Sequence, residues 1–358
     1  MIRIDEIYYN VFVKALQQHR GVGLHWFDPF GSTAFENICS VPAVDGAAQR
    51  RLVFYDQEPL HRDRVQNFLA PFCQTYQGPT TLITSERDSE DVEWACNTYG
   101  LTSEYYFFHG WAALDWFRGY NRSFLIKPGQ DRTPTTTFLA PNRIIAGQRQ
   151  HRLEMLYWIF KLGLTDNHIS CPVVCPAEQV SIYDAVRSLP YTDAVAVFES
   201  AGLPRQFAGE TDHPMHSCWL SLFDEAADSL LYLVTETVAQ GRKHHLTEKT
   251  FKPIALGMPF VLVGTAGSLE YLRSYGFKTF GHLWDETYDD ISCDQDRIRA
   301  IGTLLESLCG LEPRQRLALH QQAQEVVEHN YNHFYNGGFE KILWAELTGM
   351  LDRVKSSL

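Results

Sequence analysis

The chain of 358 residues carries a formal net charge of -12 at pH 7, and 45% of its residues are hydrophobic. Its length exceeds one ordinary domain, so we expect two domains of similar size, each with its own core. The acidic balance argues against a large non-specific nucleic-acid footprint but does not exclude a local basic groove.

The amino terminus and the cysteines indicate the expected compartment. The first residues, MIRIDEIYYN, carry charges throughout, and no apolar run reaches the ~18 residues of a membrane span. We therefore expect a cytosolic protein without a membrane span. The eight cysteines lie in apolar contexts without a C-x-x-C pair, which predicts buried thiols rather than a zinc site.

Short strands alternate with helices in the first half of the chain. The predicted strands are Leu24–Phe30, Leu52–Tyr55, Thr81–Thr84 and Tyr105–Phe108, and the predicted helices are Val65–Tyr76, Glu90–Tyr99 and Trp111–Gly119. This alternation is typical of a parallel sheet with helices on both faces. The polar segment Lys127–Thr137 contains prolines and a glycine, which predicts a linker between domains.

The second half repeats the alternation and ends in helices. The predicted strands are Phe138–Ala140, Ile169–Val174, Leu230–Val234 and Pro259–Val263; the predicted helices are His151–Leu162, Val180–Leu189, Ser268–Tyr275, Asp294–Leu308, Glu312–Asn330 and Phe339–Ser356. The fold class is therefore α/β. We expect an N-terminal domain over 1–132, a second α/β domain over 133–335 and a C-terminal helix over 336–358.

A polar cluster lies between the last two predicted strands and contains Thr247, Glu248, Lys249 and Lys252. In open α/β sheets ligands bind beyond the carboxyl ends of the strands. We expect a helix to begin here with Thr247 as its cap, and the unpaired N–H groups of such a helix start suit a phosphate, to which Lys249 adds a positive charge. Glu248 can accept hydrogen bonds from ribose hydroxyls. The same residues also fit a surface helix with a solvated ion pair.

This segment resembles known glycosyltransferases. LTEK followed by GMPFVLVG resembles the donor-binding signature of the α1,3-fucosyltransferases, and TEKTFKPIALGMPFVLVGTAGSLEYLRSYGFKTF with the later WDETYD resembles glycosyltransferase-like proteins of bacteriophages and some bacteria. The resemblance implies a GT-B fold, in which two Rossmann-like domains face each other across a cleft and a final helix packs back on the first. It assigns ribose to Glu248 and phosphate to Lys249, while His245 replaces a family tyrosine.

The first domain offers candidate catalytic groups. Asp56 and Glu58 follow the strand Leu52–Tyr55, at the edge where a general base is needed if a sugar is transferred with inversion. Glu58 is the first candidate, since it resembles an acceptor-side glutamate of the fucosyltransferases, and Asp56 is the substitute. His109 follows the predicted strand Tyr105–Phe108 and is an alternative base. A turn at Asp56 and a helix start at Glu58 explain the same pattern without catalysis.

Two arginines follow the first strand of the second domain. Arg149 or Arg152 can present a fork of donors to a diphosphate and stabilise its charge as it leaves. The resemblance supports this role, because fucosyltransferases have a phosphate-binding arginine in a similar place. Asp294-Gln295-Asp296 is better explained by a helix cap than by a metal site. We therefore expect no metal and no cofactor beyond the donor.

These residues together predict a glycosyltransferase that moves a sugar from a nucleotide-diphosphate sugar to an acceptor hydroxyl. The acceptor is a glycan or lipopolysaccharide, or a hydroxymethylated base in phage DNA, for which Arg62, Arg64, Arg118 and Arg122 would form a basic rim. The compartment would be a bacterial or phage-infected cytosol. The alternative is a GT-B-like protein that binds a nucleotide or glycan without catalysis. The oligomeric state stays open.

Overall fold

The computed structural model describes residues 3–16, 19, 21–27, 35–40, 50–75, 78–118, 133–177, 179–208 and 219–357. Parts of some predictions lie outside these residues: 28–30 of the first strand, 76 and 119 at two helix ends, 127–132 of the linker, and Arg122 of the basic rim. The chain forms two compact units. Unit 1 comprises Met1–Asp115, Arg242–His245 and Phe339–Leu358; unit 2 comprises Trp116–Gly241 and Leu246–Gly338.

Within the described residues, unit 1 is built on a five-stranded sheet. Its strands are β1 (Val22–Phe27), β2 (Phe35–Ser40), β3 (Arg50–Tyr55), β4 (Thr80–Thr84) and β5 (Thr102–Tyr105). Their order is β2-β1-β3-β4-β5, with β2 antiparallel to β1 and the other neighbours parallel. Leu52 to Tyr55 are buried, as expected for a strand covered on both faces.

The helices of unit 1 cover this sheet. They are α1 (Ile4–Glu6), α2 (Lys14–Leu16), α3 (Arg62–Arg64), α4 (Ala70–Thr75), α5 (Glu90–Tyr99), α6 (Phe108–Arg118) and α15 (Gly338–Ser357), with π-helical turns at Ile7–Val13 and Val65–Leu69; the end of α6 extends into unit 2. Ser89 caps the start of α5, and Gly100 ends it with a positive φ of 66°. The strand predicted over Tyr105–Phe108 is wrong, because β5 ends at Tyr105 and Phe108 begins a helix.

The last helix, α15, is part of unit 1. The Trp344 ring packs edge-on against Trp111 with centroids 4.7 Å apart. Glu346 accepts a hydrogen bond from Phe107 N and pairs with Arg87 at 2.6 Å. Gly110 permits this approach, because an added Cβ would lie 2.8 Å from Cζ of Phe339.

Within the described residues, unit 2 is built on a four-stranded parallel sheet. Its strands are β6 (Thr136–Ala140), β7 (His168–Ile169), β8 (Ser229–Thr235) and β9 (Phe260–Val263), in the order β7-β6-β8-β9. Every residue of β8 and β9 is buried, which explains their continuous apolar sequences. The α/β class predicted from the sequence is confirmed in both units.

The helices of unit 2 are α7 (Gln150–Lys161), α8 (Ile182–Ala185), α9 (Ala194–Ser200), α10 (Phe223–Asp228), α11 (Glu248–Leu256), α12 (Ser268–Ser274), α13 (Asp294–Cys309) and α14 (Pro313–Tyr335). The predicted strand Ile169–Val174 is too long: only the pair His168–Ile169 is strand, and Pro172 lacks the N–H that a sheet needs. The predicted helix Val180–Leu189 shortens to α8 and a 3-10 turn, Val186–Ser188.

The cysteines differ in their exposure. Cys171 and Cys175 are buried as predicted, and Cys73, Cys96 and Cys309 are partly buried. Cys293 is exposed because it precedes the first turn of α13, so the prediction of burial is wrong there. The side chains of Cys39 and Cys218 lie outside the described part of the chain. None of the helices in the described residues combines the length and apolar character that crossing a bilayer requires.

Candidate functional site

The carboxyl ends of β6, β8 and β9 bring polar residues to one edge of the unit 2 sheet. Asn142 follows β6, and its main-chain N–H and side-chain oxygen bond the hydroxyls of Ser170 and Thr235. Glu236 follows β8, and Gly264 follows β9. Because all strands of this sheet are parallel, these residues and the start of α11 meet at the edge where α/β proteins bind ligands.

Glu236 is the central residue of this edge. Its side chain is fully buried, and its carboxylate accepts hydrogen bonds from the main-chain N–H groups of Thr237, Thr247 and Thr250. It also accepts at 2.6 Å from the hydroxyls of Thr247 and Thr250. A buried carboxylate is tolerated when hydrogen bonds replace its lost water, and these donors do so.

The start of α11 differs from the sequence prediction in one respect. Thr247 is the N-cap and its hydroxyl oxygen accepts from Lys249 N, as expected. However, the N–H groups of Thr247 and Thr250 already donate to Glu236, so the protein's own carboxylate occupies part of the predicted phosphate-binding terminus. An anion at this edge must therefore be held mainly by side-chain cations.

Glu248 and Lys249 form a pair in the first turn of α11. Lys249 Nζ lies 2.7 Å from Glu248 Oε1, with the lysine side chain 29% exposed and the glutamate 5% exposed. Lys249 can therefore reach a ligand, while its ion pair with Glu248 orients the lysine side chain. Lys252, one turn later, is half-buried on the same helix.

The two predicted arginines have different environments. Arg152 is buried, and its guanidinium donates to the main-chain oxygens of Glu236 and Ile144. Burial and then the charge of Arg149 lower the pKa of Arg152 to about 10. Arg149 precedes α7 and is half-exposed, so it is the better placed of the two to meet a ligand. The charges of Glu236 and Glu248 oppose this lowering of the Arg152 pKa. The charged side chains of Arg149, Arg152, Glu236 and Glu248 therefore interact as one electrostatic cluster.

His151 completes this cluster. Its ring is fully buried, and its Nε2 lies 2.8 Å from the main-chain oxygen of Glu236. Burial, followed by the charge of Arg152, lowers the pKa of His151 to about 3. The ring is therefore neutral at physiological pH and, given that tautomer, donates through Nε2 to that oxygen.

The corresponding edge of the unit 1 sheet carries a buried acid. Asp56 follows β3, is 1% exposed, and accepts hydrogen bonds through Oδ2 from the hydroxyls of Tyr8, at 2.9 Å, and Tyr106. Burial raises the pKa of Asp56 to about 6, against the opposing effect of the tyrosine hydroxyls. Glu58 is half-buried in the turn that follows, and is the more accessible of the two predicted bases.

His109 and His245 lie together in unit 1. Their buried rings make an edge-to-face contact with centroids 4.9 Å apart, and His245 Nδ1 lies 3.4 Å from the main-chain oxygen of Ser85. His109 belongs to the first turn of α6 rather than to a strand end. His245, one of the predicted donor-site residues, packs with His109 and belongs to unit 1.

The segment Arg242–His245, which we call the strap, is held to unit 1 by charged side chains. Lys243 is buried and lies 2.6 Å from Asp91 Oδ2 and 3.4 Å from Glu86 Oε2, and it donates to Leu60 O. Arg242 pairs with Glu93 at 2.6 Å. Burial opposes ionisation of Asp91, but the hydrogen bond and charge from Lys243 outweigh it, so the pKa of Asp91 is lowered.

Sequence reasoning missed Glu236, Tyr8, Tyr106 and Lys243. For Glu236 a signal was present, because an acidic residue directly after a fully apolar strand lies at the ligand edge of an α/β sheet. For the tyrosines no local signal exists: Tyr8 and Tyr106 are 48 and 50 residues from Asp56. Their convergence depends on the sheet order.

Other candidate sites do not involve these residues. Asp294 begins α13 and pairs with Arg297 at 2.5 Å, and Asp296 pairs with Arg299, so both acids lie in the first turn of this helix. The predicted cap is wrong, because Cys293 is the N-cap and makes no side-chain cap hydrogen bond. Among the described residues there is no group of three or more His, Cys, Asp or Glu side chains placed to hold a metal ion. A cavity of about 730 Å³ in unit 2 is lined by α13, α14 and the segment around Trp284, and contains none of the predicted site residues.

Neither the protein-family models nor the curated protein sequences include a match to this chain. Among solved structures, the chain is similar to the DNA-modifying enzyme β-glucosyltransferase, determined with and without its substrate uridine diphosphoglucose. The similarity covers 86% of this chain and 74% of that chain, with 12% sequence identity and a TM-score of 0.42. An identity and a TM-score this low support no inference about activity.

Proposed function

We propose that the chain is a glycosyltransferase that binds a nucleotide-diphosphate sugar in unit 2 and transfers its sugar to an acceptor hydroxyl. The observation that carries the proposal is the cluster of Arg149, Glu248 and Lys249 at the carboxyl edge of the unit 2 sheet. Glu248 pairs with Lys249, and both Glu248 and Arg149 act electrostatically on the buried Arg152. Cations beside an acidic acceptor group suit a ligand that carries phosphates and hydroxyls together.

Each residue of the cluster has a role in this proposal. Lys249 and Arg149 bind the diphosphate and stabilise the negative charge that develops as it leaves. Glu248, held in place by Lys249 at 2.7 Å, accepts hydrogen bonds from ribose hydroxyls. Lys252 adds positive charge one turn along α11. Arg152 donates to the main-chain oxygen of Glu236 and so helps to hold this edge of the sheet in place. Its positive charge adds to the positive potential around the ligand.

Unit 1 supplies the acceptor side in this proposal. Glu58 is the general base that takes the proton from the acceptor hydroxyl as it attacks the anomeric carbon. Asp56 is too deeply buried to contact a large acceptor, and with Tyr8 and Tyr106 it shapes the turn that carries Glu58. The buried rings of His109 and His245 contact each other in the same unit, and His109 is the alternative base.

The donor site is tested by calorimetry with UDP, GDP, CMP and dTDP and with their sugar conjugates. Wild type should bind one nucleotide, and Lys249→Ala should weaken that binding by ~10-fold or more, since a charge-assisted phosphate contact is worth roughly 1.5–3 kcal/mol. Lys161→Ala is the matched control, because this exposed lysine pairs with Asp193 at the end of α7 opposite to Arg149. If no nucleotide binds wild type, the catalytically inactive alternative replaces the proposal.

The acceptor class is tested by salt dependence once a donor is known. Arg62, one member of the predicted basic rim, already pairs with Asp91 at 2.8 Å, which leaves it less available for phosphates. Together with the net charge of -12, this favours a glycan acceptor over DNA. Transfer to a glycan should change little between about 50 and 200 mM salt, whereas transfer to DNA should fall by orders of magnitude.

A further inference from the structure

The carboxylate of Glu236 fixes where α11 begins. The turn from Thr247 to Thr250 directs two main-chain N–H groups and two hydroxyls at this carboxylate. Glu248 and Lys249 lie inside that turn. Their Cα positions therefore depend on hydrogen bonds that they do not make themselves.

The main chain of the same residue fixes the other half of the cluster. The carbonyl oxygen of Glu236 accepts from Arg152 Nε at 3.2 Å and Nη2 at 3.0 Å, and lies 2.8 Å from His151 Nε2. Because both His151 and Arg152 belong to the first turn of α7, this oxygen anchors the helix that Arg149 precedes. One residue thus contacts both segments that carry the proposed donor-binding side chains.

We propose that Glu236 is a positioning residue for the donor site, which aligns Glu248 and Lys249 through its carboxylate and the start of α7 through its carbonyl. This inference rests on the proposed function for its ligand, a nucleoside diphosphate. Glu236 itself is fully buried, so its own side chain is not the group that meets the ligand. It acts by holding the first turn of α11 in one place, where the paired side chains of Glu248 and Lys249 meet the ligand.

A carboxylate is required at this position, because every group facing it is a donor. Oε1 accepts from the N–H groups of Thr247 and Thr250, and Oε2 accepts from the N–H group of Thr237. In Glu236→Gln, the amide NH₂ replaces one of these oxygens and faces at least one main-chain N–H in either orientation. Two donors cannot bond each other, so the turn must move away from residue 236.

The experiment compares Glu236→Gln with Asp289→Asn, a matched control in the same unit. Asp289 is also buried and accepts from the main-chain N–H groups of Leu269 and Glu270 at the start of α12, which carries none of the proposed donor residues. Both variants place an amide against helix-terminal donors. Calorimetry measures binding of UDP, GDP, CMP and dTDP, and peptide-resolved hydrogen exchange follows the turn from Thr247 to Thr250.

The expected result separates positioning from general destabilisation. Glu236→Gln should weaken nucleotide binding by ~10-fold or more and lower exchange protection at Thr250, as expected when a ligand-binding group is displaced. Asp289→Asn should change binding by less than about 2-fold at a similar loss of Tm, because the helix start that it caps carries none of the proposed donor residues. A double variant with Lys249→Ala should lose less than the product of the two single effects, since both act on one contact.

Other results overturn the inference in distinguishable ways. Unchanged binding by Glu236→Gln overturns it and leaves the proposed function intact. Equal weakening in both variants also overturns it, because loss of any buried cap would then suffice. If wild type binds none of the nucleotides, the proposed function fails and the inference fails with it. Should Glu236→Gln not fold, Thr250→Val removes one donor to Oε1 while keeping the side-chain shape, and unchanged binding there overturns the inference.

Discussion

Replacing Asp56 with asparagine should make unit 1 more stable at neutral pH. The folded-state pKa of this carboxyl is about 6 and its ordinary value is 3.8, a difference of roughly two pH units caused by burial. At about 1.4 kcal/mol per unit, the ionised carboxylate costs the folded state roughly 3 kcal/mol. Asparagine keeps the size of the side chain and an oxygen that can accept from Tyr8 and Tyr106, but it carries no charge to bury.

The sign of the pH dependence follows from linkage. Because the folded-state pKa is raised, the folded state holds its proton more tightly than the unfolded state does. The contribution of Asp56 to stability is therefore most favourable below about pH 4 and declines as pH rises through about 6. At pH 7.5, Asp56→Asn should exceed wild type by up to roughly 3 kcal/mol, and the two should converge near pH 4.

The assay is urea unfolding of both proteins from pH 4 to 8, with peptide-resolved hydrogen exchange to assign the change to β3 and β4. Subtracting the two curves removes every titrating group that the proteins share. Asp91→Asn is a control of opposite sign: the pKa of Asp91 is lowered, so its contribution is lost as pH falls. A flat difference curve for Asp56→Asn, or a stability difference that narrows as pH rises from 4 to 7.5, would refute the reasoning.

Three further predictions concern other buried groups. Lys243→Met should lower the free energy of unfolding by about 3–5 kcal/mol in denaturant titrations, because it leaves two carboxylates without their buried cation; recovery of stability at low pH, where these carboxylates are protonated, would support that cause. Gly110→Ala should cost about 1–3 kcal/mol through a clash with Phe339, and Phe339→Leu in the same chain should relieve it in thermal melts. Acidification below pH 6.5 should destabilise unit 2, because the folded-state pKa of His151 is lowered to about 3 and the ring binds a proton only on unfolding. In His151→Gln, the free energy of unfolding should decline less steeply as pH falls.

The buried strands were the most predictable elements of the fold. β3, β4, β8 and β9 were predicted from apolar runs within one or two residues, because strands covered on both faces need apolar side chains at nearly every position. The helix starts at Glu90 and Asp294 were predicted from polar residues before periodic apolar positions. β7 and α8 were predicted too long, because Pro172 lacks the N–H that a sheet needs and Ser181 caps α8, so that this helix begins only at Ile182.

The candidate site was predictable only residue by residue. Thr247 was identified as a cap, and Glu248 with Lys249 as a pair, because neighbours in sequence are neighbours in the first turn of a helix. Nothing local showed that Glu236, 11 residues before Thr247, supplies the carboxylate for that turn. The two residues meet because β8, which Glu236 follows, ends at the same edge of the sheet at which the helix after Thr247 begins.

The amino-acid pattern alone therefore established the α/β class, the buried strands and the polar residues that follow them, since each depends on local burial and chain direction. Tertiary structure alone decided which of these polar residues meet. It buried Asp56, which accepts hydrogen bonds from Tyr8 and Tyr106, it directed the guanidinium of Arg152 to main-chain oxygens, and it placed the ring of His245 against that of His109. Such encounters depend on the order of strands in a sheet, and strand order is set by packing across the whole unit rather than by any single segment.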